Sequence, residues 1–230
     1  MPRNYEIIGF QYKIGIIDDD QSKVTQMITM IRLCCNDEEG HPIKEKYANY
    51  ELIPIELSLL DNTDDMVEQI VEKRLDAVII DYKLSSQKAV SYSGVSLAKE
   101  LCLRLYGFPI FVLTTYKDDL FDHELFDSYL VFDFARYIAE NEERVELNSK
   151  LIEQIKKHRA EMENWKEELE SLLPRAGESA TVDERILELD SKIERSIDGR
   201  AAISVPIKQG FVAEKINELI SKIDQIIESE

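Results

Sequence analysis

The chain has few cysteines and no long apolar run, and each shortage excludes a class of protein. No apolar run approaches the roughly 20 residues that a membrane-spanning helix needs. Residues 1–6 lack the basic-then-apolar plan of a signal peptide. The three cysteines, Cys34, Cys35 and Cys102, are an odd number at no metal-ligand spacing, which favours reduced thiols. We therefore expect a cytoplasmic protein that does not insert into a membrane.

Positive charge is also scarce. The 230 residues carry 28 Lys and Arg against 46 Asp and Glu, a formal net charge of -18. Binding to nucleic acid regardless of sequence depends on cationic contacts to phosphates, which this balance opposes. The C-terminal part is acidic as well and contains no helix-turn-helix pattern. We expect no nucleic-acid partner, and hence no transcription factor.

The sequence shows no pattern typical of a catalytic site of its own. No Ser-His-Asp arrangement, glycine-rich phosphate loop or metal-binding cysteine cluster stands out. His158, in a predicted helix, lacks the surroundings of a phosphotransfer histidine, and a solvated position on the helix face is the better interpretation. We therefore expect that the protein is not an enzyme.

What the first 135 residues do contain is an alternation of apolar and helical segments. The predicted strands lie near residues 13–18, 50–57, 76–81, 109–114 and 128–134, and the helices near 21–35, 63–73, 93–105 and 118–126. Such alternation predicts a parallel sheet with helices on both faces. The residues therefore predict a doubly wound α/β domain.

Three of the strands end in polar residues. Residues 13–17 lead into Asp18 and Asp19, residues 76–80 into Asp81, and residues 109–113 into Thr114. Because parallel strands end at one edge of a sheet, where open α/β sheets bind ligands, these side chains should meet. Carboxylates are ligands that magnesium prefers, so the pattern indicates a magnesium and phosphoryl site. The alternative is structural: an acidic cluster at a helix N-terminus and a strand-end turn residue at Asp81.

These residues and their order resemble the receiver domain of response regulators, the CheY-like family, over roughly residues 11–135. The resemblance implies a five-stranded, flavodoxin-like parallel sheet. It implies that Asp81 is the phosphoacceptor and that Asp18 and Asp19, with Asp81, bind Mg²⁺. Thr114 would then be the phosphoryl-binding hydroxyl, and Tyr129, on the fifth strand, would be an aromatic switch residue. The phosphate donor would be a histidine kinase or a phosphotransfer protein.

One departure from the family pattern bears directly on the switch. Members normally carry a lysine at the end of the fifth strand, where this chain has Phe132. That lysine would pair with the phosphoryl group and transmit its presence. We name three substitute cations: Lys83, Lys117 and Arg136.

Beyond residue 135 the pattern changes to a helical region, residues 136–230. A stretch free of Gly and Pro predicts one long helix over residues 136–173, and shorter helices follow at about 181–198 and 211–228. A seven-residue seam along the long helix is apolar at six of nine positions. The seam consists of Val145, Asn148, Ile152, Ile155, Arg159, Met162, Lys166, Leu169 and Leu173. Either a homodimeric coiled coil or an internally packed bundle satisfies this pattern.

We therefore predict two domains, a receiver at 1–135 and an α-helical region at 136–230. The predicted function is response-regulator-like signalling: phosphorylation of Asp81 with Mg²⁺, and output through protein–protein interaction or dimerisation. The alternative hypothesis is a degenerate pseudo-receiver that acts as a phosphorylation-independent scaffold. The absence of the strand-five lysine favours the alternative, and the presence of all the acidic residues and Thr114 favours the first.

Overall fold

Five parallel strands form one sheet in the computed structural model, which describes residues 10–84, 90–115, 131–199, 203 and 207–208. Their order across the sheet is β2-β1-β3-β4-β5, with every neighbouring pair parallel. This is the order of the doubly wound fold that flavodoxin and CheY share, so the predicted fold class is confirmed. The strands are β1 (Phe10–Ile17), β2 (Tyr50–Glu56), β3 (Ala77–Asp81), β4 (Ile110–Thr114) and β5 (Val131–Asp133).

Six α-helices lie within the described residues. They are α1 (Gln21–Arg32), α2 (Thr63–Glu72), α3 (Gly94–Arg104), α4 (Phe134–Ala139), α5 (Asn141–Leu172) and α6 (Ala180–Asp198). None of the helices in this part of the chain is long and apolar enough to cross a membrane. The helices predicted at 118–126 and 211–228 lie outside the described residues.

The central strands are continuous apolar runs in the sequence because both faces of the sheet are covered. Every residue of β3 and β4 is buried, as expected when helices cover both faces of a parallel sheet. One apolar core cluster combines residues of all five strands with α1, α4 and the first half of α5. It includes Ile14, Ile16, Ile79, Phe111, Val24, Met27, Ile31, Val145, Leu151, Ile152 and Ile155.

The helix predicted as one piece over residues 136–173 is divided in the structure. Glu140 has an extended backbone, φ -114° and ψ 117°, so α4 ends before it and α5 starts after it. The Asp133 side chain begins α4 by accepting a hydrogen bond from the backbone N–H of Arg136, at 3.0 Å. The break lets Tyr137 on α4 and Val145 on α5 both reach the core. No glycine or proline marks this break in the sequence.

The seam predicted along the long helix also divides into two parts. Its first half, to Ile155, is buried in the core, whereas Met162 and Leu169 are half-buried and Leu173 is exposed. Packing divides the chain into two compact units, one comprising Met1–Leu103 with Gly107–Arg159 and the other Arg104–Tyr106 with Ala160–Glu230. The segment 136–159 thus belongs to the same compact unit as the sheet. A boundary between two domains at residue 135 stays a prediction.

The second unit has its own contacts between helical segments. Arg185 on α6 donates to both carboxylate oxygens of Glu168 on α5, at 2.7 Å each. The ring of Tyr106 lies 5.5 Å from that of Trp165, and Leu189 is fully buried. Ser179 caps α6 by accepting from the backbone N–H of Val182.

One polar residue in the seam of α5 ties it to α1. Asn148 is fully buried, and its amide nitrogen donates to the carbonyl oxygens of Cys34, at 2.7 Å, and Met30, at 3.1 Å. Its amide oxygen accepts from the Tyr137 hydroxyl at 3.1 Å. These bonds satisfy carbonyls at the C-terminal end of α1 that no helical partner reaches. Asn148 therefore fixes how α5 is seated on the sheet.

We expect Asn148→Ala to lower the free energy of unfolding by about 2 to 4 kcal/mol, because it leaves buried polar groups unsatisfied and opens a cavity. Urea unfolding followed by circular dichroism measures the change. Gln154→Ala, at an exposed position of the same helix, is the control and should change stability by less than about 0.5 kcal/mol. Equal effects of the two substitutions would show that Asn148 does not hold the helix.

Candidate functional site

Three carboxylates meet at the carboxyl edge of the sheet. Asp18 and Asp19 directly follow β1, and Asp81 is the last residue of β3, the strand that pairs beside β1. One oxygen from each carboxylate lies within 4.8 Å of the others. Asp18 is 8% exposed and Asp81 4% exposed, so the cluster is largely removed from water. The structure thus brings together the acidic residues that the sequence singled out.

A neighbouring aspartate takes the capping role that was the alternative explanation for this cluster. Asp20 accepts a hydrogen bond from the Ser22 backbone N–H at 2.9 Å and so begins α1. Its own backbone N–H donates to Asp18 at 2.8 Å. The structure therefore assigns the helix cap to Asp20 and leaves Asp18 and Asp19 beside Asp81.

A cavity of about 230 Å³ opens over the cluster. Thr114, at the end of β4, lies in its wall and is 1% exposed. Gly94 begins α3 so close to β3 that a Cβ there would overlap the carbonyl oxygen of Asp81. The cavity is lined by Asp19, Asp20, Lys23, Asp81, Tyr82, Lys83, Thr114 and Thr115.

The cation nearest Asp81 in the described residues is one that the sequence analysis did not identify. The ammonium nitrogen of Lys23, on the first turn of α1, lies 3.3 Å from Oδ1 of Asp81. Its side chain is 23% exposed, and its Nζ also lies 5.6 Å from the centre of the Phe134 ring. The available signal was its place in the first turn of a helix that starts at the acidic edge.

The three predicted substitute cations have different positions. Lys83 lines the cavity, and its backbone N–H donates to Oδ2 of Asp81 at 3.2 Å. Arg136 lies on α4, where its side chain bonds Glu140 and Glu143, and it is not among the residues that line the cavity. Lys117, like the predicted switch residue Tyr129, lies outside the described residues.

The end of β5 carries no cation in the structure. Phe132 is 6% exposed, and its ring packs 6.2 Å from the ring of Phe111. Asp133 is the strand partner of Thr114 and uses its side chain to cap α4. The position where receiver domains normally carry lysine is therefore filled by a core aromatic.

Burial and mutual repulsion shape the charges in the cluster. Burial raises the pKa of Asp18 to about 7, and the charge of Asp81 adds to the rise. Burial also raises the pKa of Asp81, although Lys23 acts in the opposite direction. For Lys23 burial lowers the pKa, but the charges of Asp81 and Asp18 outweigh it, and the net shift is upward. Crowded, desolvated carboxylate oxygens of this kind fit a hard divalent cation such as Mg²⁺.

No protein-family model and no curated protein matches the chain. Among solved structures it is similar to the anti-anti-sigma factor PhyR from Bartonella quintana, at 12% identity and a TM-score of 0.42, covering 67% of this chain and 51% of that one. The response regulator PhyR from Brucella abortus shows 15% identity and a TM-score of 0.39, covering 65% of this chain and 49% of that one. The apo receiver domain of nitrogen regulatory protein C shows 18% identity and a TM-score of 0.33, covering 58% and 94%.

The chain thus spans about half the length of the PhyR structures that it matches. At such low similarity we base the fold assignment on strand order and register. The parallel 2-1-3-4-5 sheet, with the acidic residues at its carboxyl edge, has the CheY-like receiver fold. The resemblance predicted from the sequence is confirmed at the level of the fold.

The raised pKa of Asp18 predicts a pH-dependent stability. Its folded-state pKa of about 7 lies above the unfolded value of about 3.9. As pH rises between these values, the unfolded state loses its proton first, so without divalent cations the Asp18 carboxylate lowers stability progressively from about pH 4 to about pH 7. Asp18→Asn removes this effect while keeping an oxygen for the Asp20 N–H. We expect its gain in unfolding free energy over wild type to grow from near zero at pH 4 to about 1 to 2 kcal/mol at pH 8, since solvent in the cavity screens part of the shift.

Urea unfolding in EDTA at several pH values measures this gain. Asp61→Asn is the matched control, because it makes the same chemical change at an exposed aspartate outside the cavity. Its effect should not grow over the same pH range. A gain for Asp18→Asn that is independent of pH would contradict the prediction.

Proposed function

We propose that this protein is a response-regulator-like signalling protein in which Asp81 accepts a phosphoryl group from a histidine kinase or phosphotransfer partner. The observation that carries the proposal is the cluster of Asp18, Asp19 and Asp81 beside one cavity, which Thr114 and Lys23 also line. Oxygen-rich carboxylate clusters of this type hold Mg²⁺ for phosphoryl transfer. The chain then transmits a signal and turns over no small-molecule substrate.

The chemistry assigned to Asp81 is nucleophilic. One of its oxygens forms a new P–O bond as the P–N bond of a phosphohistidine donor breaks, and the donor nitrogen keeps the electron pair. Asp18, Asp19 and Asp81 would hold Mg²⁺, which would neutralise charge on the phosphoryl oxygens. The Lys83 backbone N–H at 3.2 Å fixes the orientation of the attacking carboxylate.

Thr114 supplies a further polar contact in this proposal. The Thr114 hydroxyl, in the cavity wall at the end of β4, donates to a phosphoryl oxygen when Asp81 is modified. Its β5 partner, Asp133, caps α4, so a shift of Thr114 is transmitted to the start of α4. Tyr129 is the proposed aromatic partner of that movement.

The proposed output is protein–protein interaction, not DNA binding. The C-terminal helices expose large apolar side chains, such as Leu173 at 52% and Ile197 at 58%. We propose that these helices contact a downstream partner or a second copy of this chain, in a homodimer.

A second candidate function is favoured by Phe132. Because a core aromatic occupies the position of the family's lysine, the acidic cavity can persist without a working switch. In that case the protein is a pseudo-receiver, a scaffold that acts through its helices regardless of phosphorylation.

Phosphorylation by a small acyl phosphate distinguishes the two functions. We expect wild type incubated with acetyl phosphate and MgCl₂ to gain the mass of one phosphoryl group in intact-mass spectrometry. Asp81→Asn should lose the modification, because an amide nitrogen or oxygen cannot form the acyl phosphate. Omission of magnesium should slow the reaction by at least about tenfold.

Asp61→Asn is the matched control for this experiment, since Asp61 is an exposed aspartate outside the cavity. It should be phosphorylated as wild type is. Unmodified wild type under these conditions would support the scaffold, and equal modification of Asp81→Asn would show that another residue is the acceptor.

A further inference from the structure

Lys23 lies between Asp81 and the start of α4. Its ammonium group bridges between the acceptor Asp81, at 3.3 Å from Oδ1, and the ring of Phe134, at 5.6 Å from the centroid. The lysine is on α1 and Phe134 is the first residue of α4. One side chain therefore contacts both the candidate acceptor and the start of the helical segment that follows β5.

The charges at the site call for a cation in addition to a metal. Three carboxylates and one ammonium leave two formal negative charges, which one divalent ion balances. Transfer to Asp81 replaces one carboxylate charge by roughly two on the phosphoryl group, as for other phosphorylated side chains. With Asp18 and Asp19 the site then carries about four negative charges, and a divalent ion alone leaves half of them uncompensated.

Among the described residues two lysines line the cavity, and they differ in burial. The Lys83 side chain is exposed, whereas that of Lys23 is 23% exposed and already paired with Asp81. A cation held in low-dielectric surroundings acts more strongly on a nearby charge than one in water. At the end of β5, Phe132 is buried against Phe111 and offers no charge.

We propose that Lys23 is the exchangeable cation of this site, paired with Asp81 in the resting state and with the phosphoryl oxygens after transfer, in place of the lysine that β5 lacks. This inference rests on the proposed function. Because Lys23 neutralises Asp81 at rest, it competes with a divalent ion for the same carboxylate. When it moves to the phosphoryl group, its contact with the Phe134 ring changes.

Contacts within the described residues connect Phe134 to α5. Phe134 begins α4, and Tyr137 one turn later donates its hydroxyl hydrogen bond to Asn148 of α5 at 3.1 Å. Asn148 in turn bonds the carbonyls at the end of α1, the helix that carries Lys23. A displacement of Lys23 therefore changes a contact between α1 and α4, and both helices are also joined to Asn148 of α5.

Beryllofluoride, which mimics the phosphoryl group on aspartate, tests the proposal on the full chain. Magnesium affinity alone, and beryllofluoride affinity in magnesium, are measured by calorimetry for wild type, Lys23→Met, Lys83→Met and Lys73→Met. We expect Lys23→Met to bind magnesium about three- to tenfold more tightly, since the competing cation is gone, and beryllofluoride at least about tenfold more weakly. Lys83→Met should weaken beryllofluoride binding less than Lys23→Met does, because the Lys83 ammonium is exposed to water. Lys73→Met, at an exposed lysine that does not line the cavity, is the matched control and should keep both affinities within about threefold.

Backbone NMR provides a second measurement. In wild type, beryllofluoride should shift the amides of residues 134–139, and in Lys23→Met those shifts should be lost while the amides next to Asp81 still respond. A measurement on wild type alone, the side-chain ammonium signal of ¹⁵N-labelled lysine, should shift for Lys23 on beryllofluoride addition. This measurement needs no substitution, so it tests the proposal even where a Lys23 substitution disturbs folding.

The two levels of inference fail separately. Wild type that binds no beryllofluoride at millimolar magnesium overturns the proposed function and this inference with it. Wild type that binds, with Lys23→Met binding equally well or with an unmoved Lys23 ammonium signal, overturns only the role of Lys23.

Discussion

A parallel sheet that must be covered on both faces is the constraint from which the other features follow. Every residue of β3 and β4 is buried, so neither strand can accommodate a polar side chain before its last position. Polar groups are therefore pushed to the strand ends, where Asp81 and Thr114 lie. The same demand for cover draws the first half of α5 onto the sheet beside α1.

Concentrating polar groups at one edge also concentrates negative charge there. Asp18 and Asp81 are both largely buried and both have raised pKa values, which is an unfavourable arrangement in the absence of a cation. Lys23 relieves part of that cost through its pairing with Asp81. A cluster that is only partly neutralised is well suited to binding a further cation, which offsets the remaining negative charge.

The helix α5 contributes residues to both compact units. Up to Arg159 it belongs to the compact unit that contains the sheet, and from Ala160 it belongs to the second unit. Asn148 and Tyr137 give its first half a polar attachment inside an apolar core. Buried polar contacts of this kind favour one register of packing over its neighbours, because a slipped helix would leave them unsatisfied. A fixed position of α5 on the sheet suits the signalling role proposed for the chain.

The sequence by itself determined the alternation of strands and helices. Through it the sequence also determined the meeting of Asp18, Asp19 and Asp81 near Thr114, because strands joined by helices run parallel and end at one edge of the sheet. It also showed that β5 ends without lysine. Only the tertiary structure decided that Lys23 reaches Asp81, that Arg136 turns to Glu140 and Glu143, and that the long helix breaks at Glu140. These outcomes depend on how each helix is rotated and seated against the sheet. That rotation is set by packing between segments far apart in the chain, which no local pattern records.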